Sequence, residues 1–404
     1  MPQCVRIAQL LAAAAIVFVA ACEQPLPTEA PPASSLRDLS SSLNEGLGGP
    51  LPFLTGYERR LFARGSAVFQ TDFTPASGLG PLFNGNSCAE CHEEPVVGAV
   101  GDEVERHATA FSGSACRDLS EIGGPVMQDS VTPALHDALG ITQEDVPPEA
   151  TATAHRTTPS ILGFGLLDAV PEEEILRRAD PQDRNGDGIA GRPNRTPDGH
   201  IGRFGRKAQV ATLREFNAGA FLAEMGITNP QNPTEQTIRD NPLPAGVDPT
   251  PEPELSQQDV DAADGFVRLL APPRAGGSLF QRLAGNAIFA KTGCANCHVP
   301  ILVTGRNALP ALSHRVVHAY TDLLLHDMGP ELADICLGEA RPSDFRTEPL
   351  MGLRFKTEFL HDGRAESIED AIEQHGGEAT RARTRFQGLG ARERRILMAF
   401  LAAL

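Results

Sequence analysis

Two copies of the word Cys-x-x-Cys-His, Cys88-Ala89-Glu90-Cys91-His92 and Cys294-Ala295-Asn296-Cys297-His298, are the residues whose types and spacing most directly imply chemistry. Two thiols one helical turn apart can form thioethers to a porphyrin while the adjacent histidine turns under the ring to bind iron. Each word therefore reads as a covalent c-type haem site, with His92 and His298 as proximal iron ligands. A lone Cys-x-x-Cys also serves as a redox dithiol, a disulfide or half of a zinc site. Two complete copies in one chain favour two covalently bound haem c groups.

The elements that must position these words are also duplicated. Gly65-Ser66-Ala67-Val68-Phe69 precedes the first and Gly285-Asn286-Ala287-Ile288-Phe289 the second, which runs directly into Ala290-Lys291-Thr292-Gly293. A Gly-x-x-x-Phe helix leading into the haem word is how a cytochrome c domain begins. The first copy carries an insertion over residues 70–87. Residues 260–270 read as a helix, and residues 391–404 as a closing one with Ile396, Leu397, Phe400, Leu401 and Leu404 on one stripe. No alternating β-branched run of useful length is present. The expected fold is mainly α, two cytochrome c-like haem domains with long loops. Proline-rich Asn241-Pro242-Leu243-Pro244-Ala245 through Pro249-Thr250-Pro251-Glu252-Pro253 marks the division. The N-terminal domain with its insertions would span residues 51–245, a linker 246–258 and the C-terminal domain 259–404.

Compartment follows from the first fifty residues. Arg6 precedes an apolar run over residues 10–21, and a stretch of about twelve residues is too short to cross a bilayer core of about 30 Å. Residues 1–21 read as a signal peptide. Val19-Ala20-Ala21-Cys22 resembles the bacterial lipoprotein cleavage box, in which the cysteine, here Cys22, becomes lipidated; an ordinary signal peptide is the alternative. Glu23 does not resemble an inner-membrane retention residue, so the expected place is the outer membrane, on its periplasmic side. Residues 22–50, rich in Pro and Ser, suit a flexible tether. Of eight cysteines, Cys4 leaves with the signal, Cys22 takes lipid and four hold haem. Cys116 and Cys336 remain, as a disulfide between the halves or as two buried thiols.

Charge narrows the partners. Lys and Arg number 35 against 52 Asp and Glu, a formal charge of -17, which argues against nucleic acid. It fits docking to a positively charged small redox carrier protein and equally fits plain solubility. Trp is absent, so no electron path between the haems runs through one. Asp183-Arg184-Asn185-Gly186-Asp187-Gly188 matches the opening of a calcium loop, with Asp183, Asn185 and Asp187 as donors. The twelfth position is Asn194 rather than a bidentate Glu, so a cation-free Asx turn stands beside calcium.

Further strings complete the pattern: Gly78-Leu79-Gly80-Pro81-Leu82-Phe83-Asn84, Gly163-Phe164-Gly165-Leu166-Leu167, Asp187-Gly188-Ile189, Gly202-Arg203-Phe204-Gly205, Tyr320-Thr321-Asp322-Leu323-Leu324-Leu325-His326-Asp327-Met328-Gly329, Phe345-Arg346-Thr347-Glu348-Pro349-Leu350 and Phe359-Leu360-His361-Asp362-Gly363-Arg364. On these the chain resembles, from Gly49 to its end, the bacterial di-haem oxidoreductase family (thiol oxidoreductase-like), a relative of the di-haem cytochrome c peroxidases. The resemblance implies a second axial ligand on a helix after the His-Asp-Gly turn. Where the peroxidases carry methionine, the same interval from His361 falls on His375, beyond Ile368-Glu369-Asp370-Ala371-Ile372; Met328 is the rival. Imidazole in place of thioether lowers the reduction potential, a departure that weighs against peroxidase activity. For the first iron, His107 lies near the interval of a distal histidine, with an exposed helix end, Met225, His155 and an open position as alternatives.

The expected function is electron transfer at the bacterial envelope by a di-haem c-type oxidoreductase. A hydrogen peroxide-reducing enzyme and a non-catalytic haem-bearing partner of an uptake system are the alternatives, and enzymatic turnover is left open. Neither Cys116 nor Cys336 sits in a dithiol motif, so neither is assigned catalysis.

Overall fold

The computed structural model describes residues 46–404. The signal peptide, Cys22 and most of the tether lie outside the described residues. The principal helices are α1 (Gly56–Phe69), α2 (Leu213–Met225), α3 (Gln257–Leu269), α4 (Leu279–Thr292), α5 (Ile368–Glu373), α6 (Thr380–Gln387) and α7 (Ala391–Leu401).

The duplicated sequence gives duplicated packing. Helices α1 and α4 each open on a capping box, Thr55 with Glu58 and Ser278 with Gln281, which satisfies amides that a helix start leaves unpaired. The glycine of each Gly-x-x-x-Phe is where another helix crosses. A Cβ on Gly65 would lie 1.9 Å from the Ala262 carbonyl oxygen on α3, and one on Gly285 would lie 2.2 Å from Phe400 Cβ on α7. The phenylalanine four residues on then reaches the haem-word histidine, with ring centroids 6.1 Å apart for Phe69 and His92 and 6.4 Å for Phe289 and His298. The closing helix buries the expected stripe of Leu397, Phe400 and Leu401 against α4, with Leu404 just beyond its end.

The described residues are 34% helix and 14% strand, and the strand content corrects the sequence expectation. Strands β1 (Val104–Phe111), β2 (Cys116–Arg117), β3 (Val126–Met127) and β4 (Ala152–Thr157) form an antiparallel sheet in which β1 pairs with each of the others. Further on, β5 (Leu325–Asp327) pairs with β6 (Asp344–Arg346).

The domain division is corrected too. Helix α3, assigned by the proline-rich segment to the C-terminal half, packs on α1 and α2. The largest apolar cluster joins Phe69, Leu166 and Phe204 to Phe266, Leu269, Leu302 and Leu324. The described residues accordingly belong to one compact unit rather than two. The end of the expected tether is likewise engaged, since the Leu51 and Ala271 amides donate to the Leu269 and Gly49 carbonyls at 2.8 and 3.0 Å. The Cys116 and Cys336 sulfurs are bonded to each other, tying the sheet to the segment between β5 and β6.

Candidate functional site

The second word forms the wall of a cavity lined by Cys294, Cys297, His298, Met328 and His375. His298 is brought there by the turn that ends α4, and His375 by the two residues after α5, whose first turn is capped by Ser367. Each imidazole donates its Nδ1 proton to a backbone carbonyl, His298 to Tyr320 at 3.0 Å and His375 to Ala371 at 2.6 Å. A carbonyl can only accept, so this fixes the tautomer and leaves Nε2 as the free lone pair, the state a metal-binding histidine needs. Burial and then the charge of His375 push His298 down to about 4, so the pair stays neutral at physiological pH.

The cavity also carries a matched charge set. Glu348 accepts from Arg206 Nη1 at 3.0 Å and Arg346 Nη2 at 2.8 Å and faces Lys356 Nζ at 3.5 Å. Although burial opposes its ionisation, the charges of Arg206, Arg346 and Lys356 hold its carboxyl well below the usual range. Within this group three cations against one carboxylate leave a surplus of two positive charges, which two haem propionates would neutralise. With free thiols at Cys294 and Cys297, the residues present fit a covalent haem. His361, from the His-Asp-Gly turn, lines the same wall and stacks on Phe345 with centroids 4.4 Å apart.

At the first word, Ser87 caps the one-turn helix Cys88–Cys91, and His92 donates Nδ1 to Ala99 O at 3.2 Å, again freeing Nε2. Cys88 and Cys91 are free, and burial pushes the Cys88 thiol up to about 12 and Cys91 up as well. A redox dithiol needs the opposite shift. Among the described residues the acidic, histidine and cysteine groups that converge to metal-binding distance include none of the haem-word cysteines.

The surroundings of His92 differ in kind from the second cavity. Glu105 on β1 hydrogen-bonds His107 Nε2 at 2.9 Å, and that bond and charge, outweighing burial, hold its carboxyl low. The Glu105 charge also reaches His92 and Glu224. Glu224, at the end of α2, accepts from Asn84 Nδ2 at 2.9 Å; burial, and then Glu105, push its carboxyl well up. His107 thus lies on a strand rather than at an exposed helix end, and its Nε2 is engaged by Glu105 while Nδ1 is buried without a partner. It offers iron the less accessible nitrogen. His155 is exposed on β4, whereas Met225 is buried in the cluster that Cys88 packs against.

The Asp183 segment is an Asx-rich turn. Gly188 N donates to Asp183 at 3.1 Å, Asp187 N to Asn185 at 2.9 Å and Ile189 N to Asp187 at 2.9 Å. Asn194, at the twelfth position, turns instead to the Lys207 and Leu337 carbonyls. Sequence reasoning missed Glu105, Glu224, Arg206, Glu348 and Lys356. Arg346 and Glu348 lay in a quoted string without a role, and isolated charges carry no spacing that distinguishes a site from a solvated surface.

Comparison with known proteins places this geometry. No curated protein matches the chain. Among solved structures, a hydrazine synthase chain of Kuenenia stuttgartiensis covers 100% of both chains at 14% identity and a TM-score of 0.41. The diheme peroxidase BthA of Burkholderia thailandensis covers 85% of this chain and 86% of that one, at 15% identity and a TM-score of 0.38. The family model described as "Di-haem oxidoreductase, putative peroxidase" matches residues 141–404, a span that holds the whole second cavity together with Glu224 of the first site. The chain belongs to this di-haem oxidoreductase family.

Proposed function

We propose that the chain is a c-type di-haem enzyme: Cys88 and Cys91 attach one haem and Cys294 and Cys297 the other, His298 and His375 form the axial pair at the second, and substrate meets the first beside His92. The observation that carries this reading is the asymmetry of the imidazoles. Two histidines with free Nε2 share the second cavity, whereas at the first site only His92 is so prepared and His107 is bound to Glu105. The bound haems supply one-electron transfer. What the protein adds at the first site is proton handling: the buried Glu224 carboxyl, pushed up by burial, and the Glu105 carboxylate are the groups placed to give and accept protons there.

That proton inventory favours hydrogen peroxide as substrate over the sequence expectation that imidazole ligation at the second iron weighs against peroxidase activity, since reduction of peroxide to two waters consumes two electrons and two protons. A second reading, pure electron transfer, is favoured by Met225, whose sulfur-bearing side chain packs in the Cys88 cluster and would close the first iron. The exported leader and the cleavage box at Cys22 support a place at the bacterial envelope, lipid-anchored, with a small redox carrier protein as electron source.

The test is the spin state of each iron together with peroxide turnover. One low-spin and one high-spin haem are expected, and Glu224→Gln should lower turnover by about a hundredfold or more, the usual worth of a positioned acid or base, with the second haem's spectrum unchanged. Two low-spin haems with no turnover would replace this reading with the electron-transfer one.

A further inference from the structure

The arm that carries His375 is fastened to a part of the chain almost two hundred residues away in sequence. Gly376 and Gly377 let the backbone lie flat on the stretch 327–329, since a Cβ on Gly377 would sit 2.0 Å from Asp327 O and one on Gly376 would sit 2.7 Å from Met328 O. Beyond them Glu378 makes three contacts: Oε2 accepts from Ala190 N at 3.0 Å, Oε1 from Asp327 N at 3.2 Å, and Oε2 from His326 Nδ1 at 2.7 Å. Asp322 holds the other nitrogen of His326 at 2.9 Å. Three residues later Arg381 Nη1 donates to Asp187 O at 3.0 Å. Ala190 and Asp187 both belong to the end of the Asx-rich turn. That turn is braced by its own side chains and is clamped to β5 by paired amides between Arg192 and Leu325, at 3.1 and 2.8 Å. Gly191 is required there, because a Cβ would lie 2.8 Å from His326 Cε1.

We propose that residues 183–190 form a brace for the second axial ligand: by holding Glu378 and Arg381 they keep His375 aimed into the cavity, so a turn in the N-terminal half governs how readily the second iron exchanges that ligand. Glu378 and Arg381 are positioning residues, and the turn that resembles a calcium loop acts through its backbone. The inference rests on His375 as ligand. It extends that assignment by naming what restrains the ligand.

The experiment uses the haem-loaded protein and cyanide as the probe of the second iron. Arg381→Met and Glu378→Ala should each raise the rate of cyanide binding at that iron by about tenfold or more, the change expected when one charge-assisted hydrogen bond is lost. Arg381→Lys should restore most of the restraint, and the first haem's spectrum should be unchanged, which also reports folding. His375→Ala sets the fully open reference. Cyanide binding in both brace variants at the wild-type rate, with His375→Ala fast, overturns the brace while leaving the ligand. An unchanged second-haem spectrum in His375→Ala overturns the ligand assignment itself, and the brace with it.

Discussion

Breaking the Cys116–Cys336 bond tests whether the two halves of the chain are held as one unit by a long covalent loop. The bonded residues are 220 positions apart, and closing a loop of that length removes chain entropy from the unfolded state worth about 5 kcal/mol in the simplest polymer treatment. Native disulfides deliver somewhat less, so Cys116→Ser with Cys336→Ser should cost about 3–5 kcal/mol. Part of that cost is local. Cys336 is fully buried and follows Asp334 by two residues, and Asp334 reaches Lys207 Nζ at 2.9 Å and His361 Nε2 at 3.4 Å. Guanidinium unfolding of the haem-loaded protein, followed by the haem absorption bands and by circular dichroism, reads the loss as a lower midpoint. Cys116 pairs with β1 and the Cys336 amide donates to Thr109 Oγ1 of that strand at 3.2 Å, so the native spectra should be the same with and without the bond. A loss under about 1 kcal/mol would refute the loop argument, because no reasonable unfolded ensemble makes so long a loop nearly free. Altered native spectra would show instead that the bond shapes the haem sites directly.

Other outcomes are equally definite. Burial pushes the Glu144 carboxyl up to about 7 from 4.5, so the folded chain holds an extra proton between those values and loses up to about 3 kcal/mol of stability as pH rises through them. Glu144→Gln should abolish that slope and be the more stable form at pH 8, and identical urea midpoints for the two proteins at pH 5 and pH 8 would reject the assignment. Glu348→Gln leaves Arg206, Arg346 and Lys356 facing one another and should cost about 3–5 kcal/mol in the haem-free chain, with a smaller loss in the haem-loaded one. Equal losses in the two forms would contradict the pairing of these cations with propionates. Cys294→Ala with Cys297→Ala should yield a protein whose mass shows one covalent haem instead of two, and an intact second haem would overturn thioether attachment at that word.

The parts of this fold that were legible in the sequence are those whose physics is local. A cysteine pair and its histidine sit within five residues, the Gly-x-x-x-Phe helices announce a close crossing and an aromatic beside the haem word, and the stripe of α7 repeats with the helical period. The strand β1 was not legible, because Glu105, Arg106 and His107 put polar groups on both faces of Val104–Phe111. Period-2 alternation fails when a buried face is itself charged. The same reason hides Lys207, which is fully buried with its Nζ 3.5 Å from the Phe345 ring centroid, and Arg156, buried beside Asp334. In a sequence a lysine or arginine reads as solvated surface, and only the fold shows which ones have been taken inside and paired.

The proline-rich segment misled for a related reason. Its residues break helices whether they separate domains or merely turn the chain back, and the deciding fact, the fit of Gly65 against Ala262, lies in a contact between residues nearly two hundred positions apart. The consequence bears on function. Helix α3 packs with α1 and α2, so the first haem word shares its core with residues on both sides of the prolines, and Arg206 reaches both Glu105 of the first site and Glu348 of the second. Around Arg206 the side chains form a charged cluster of Glu105, Arg156, Arg206, Lys207 and Asp334. Buried ion pairs such as Arg156–Asp334 and Lys207–Asp334 lose much of their Coulombic gain to desolvation, so stability alone does not account for gathering five charged residues together. Under the proposed function, a chain moving electrons between two irons while supplying protons to one of them would need fixed charge and exchangeable hydrogen bonds, and this cluster offers both.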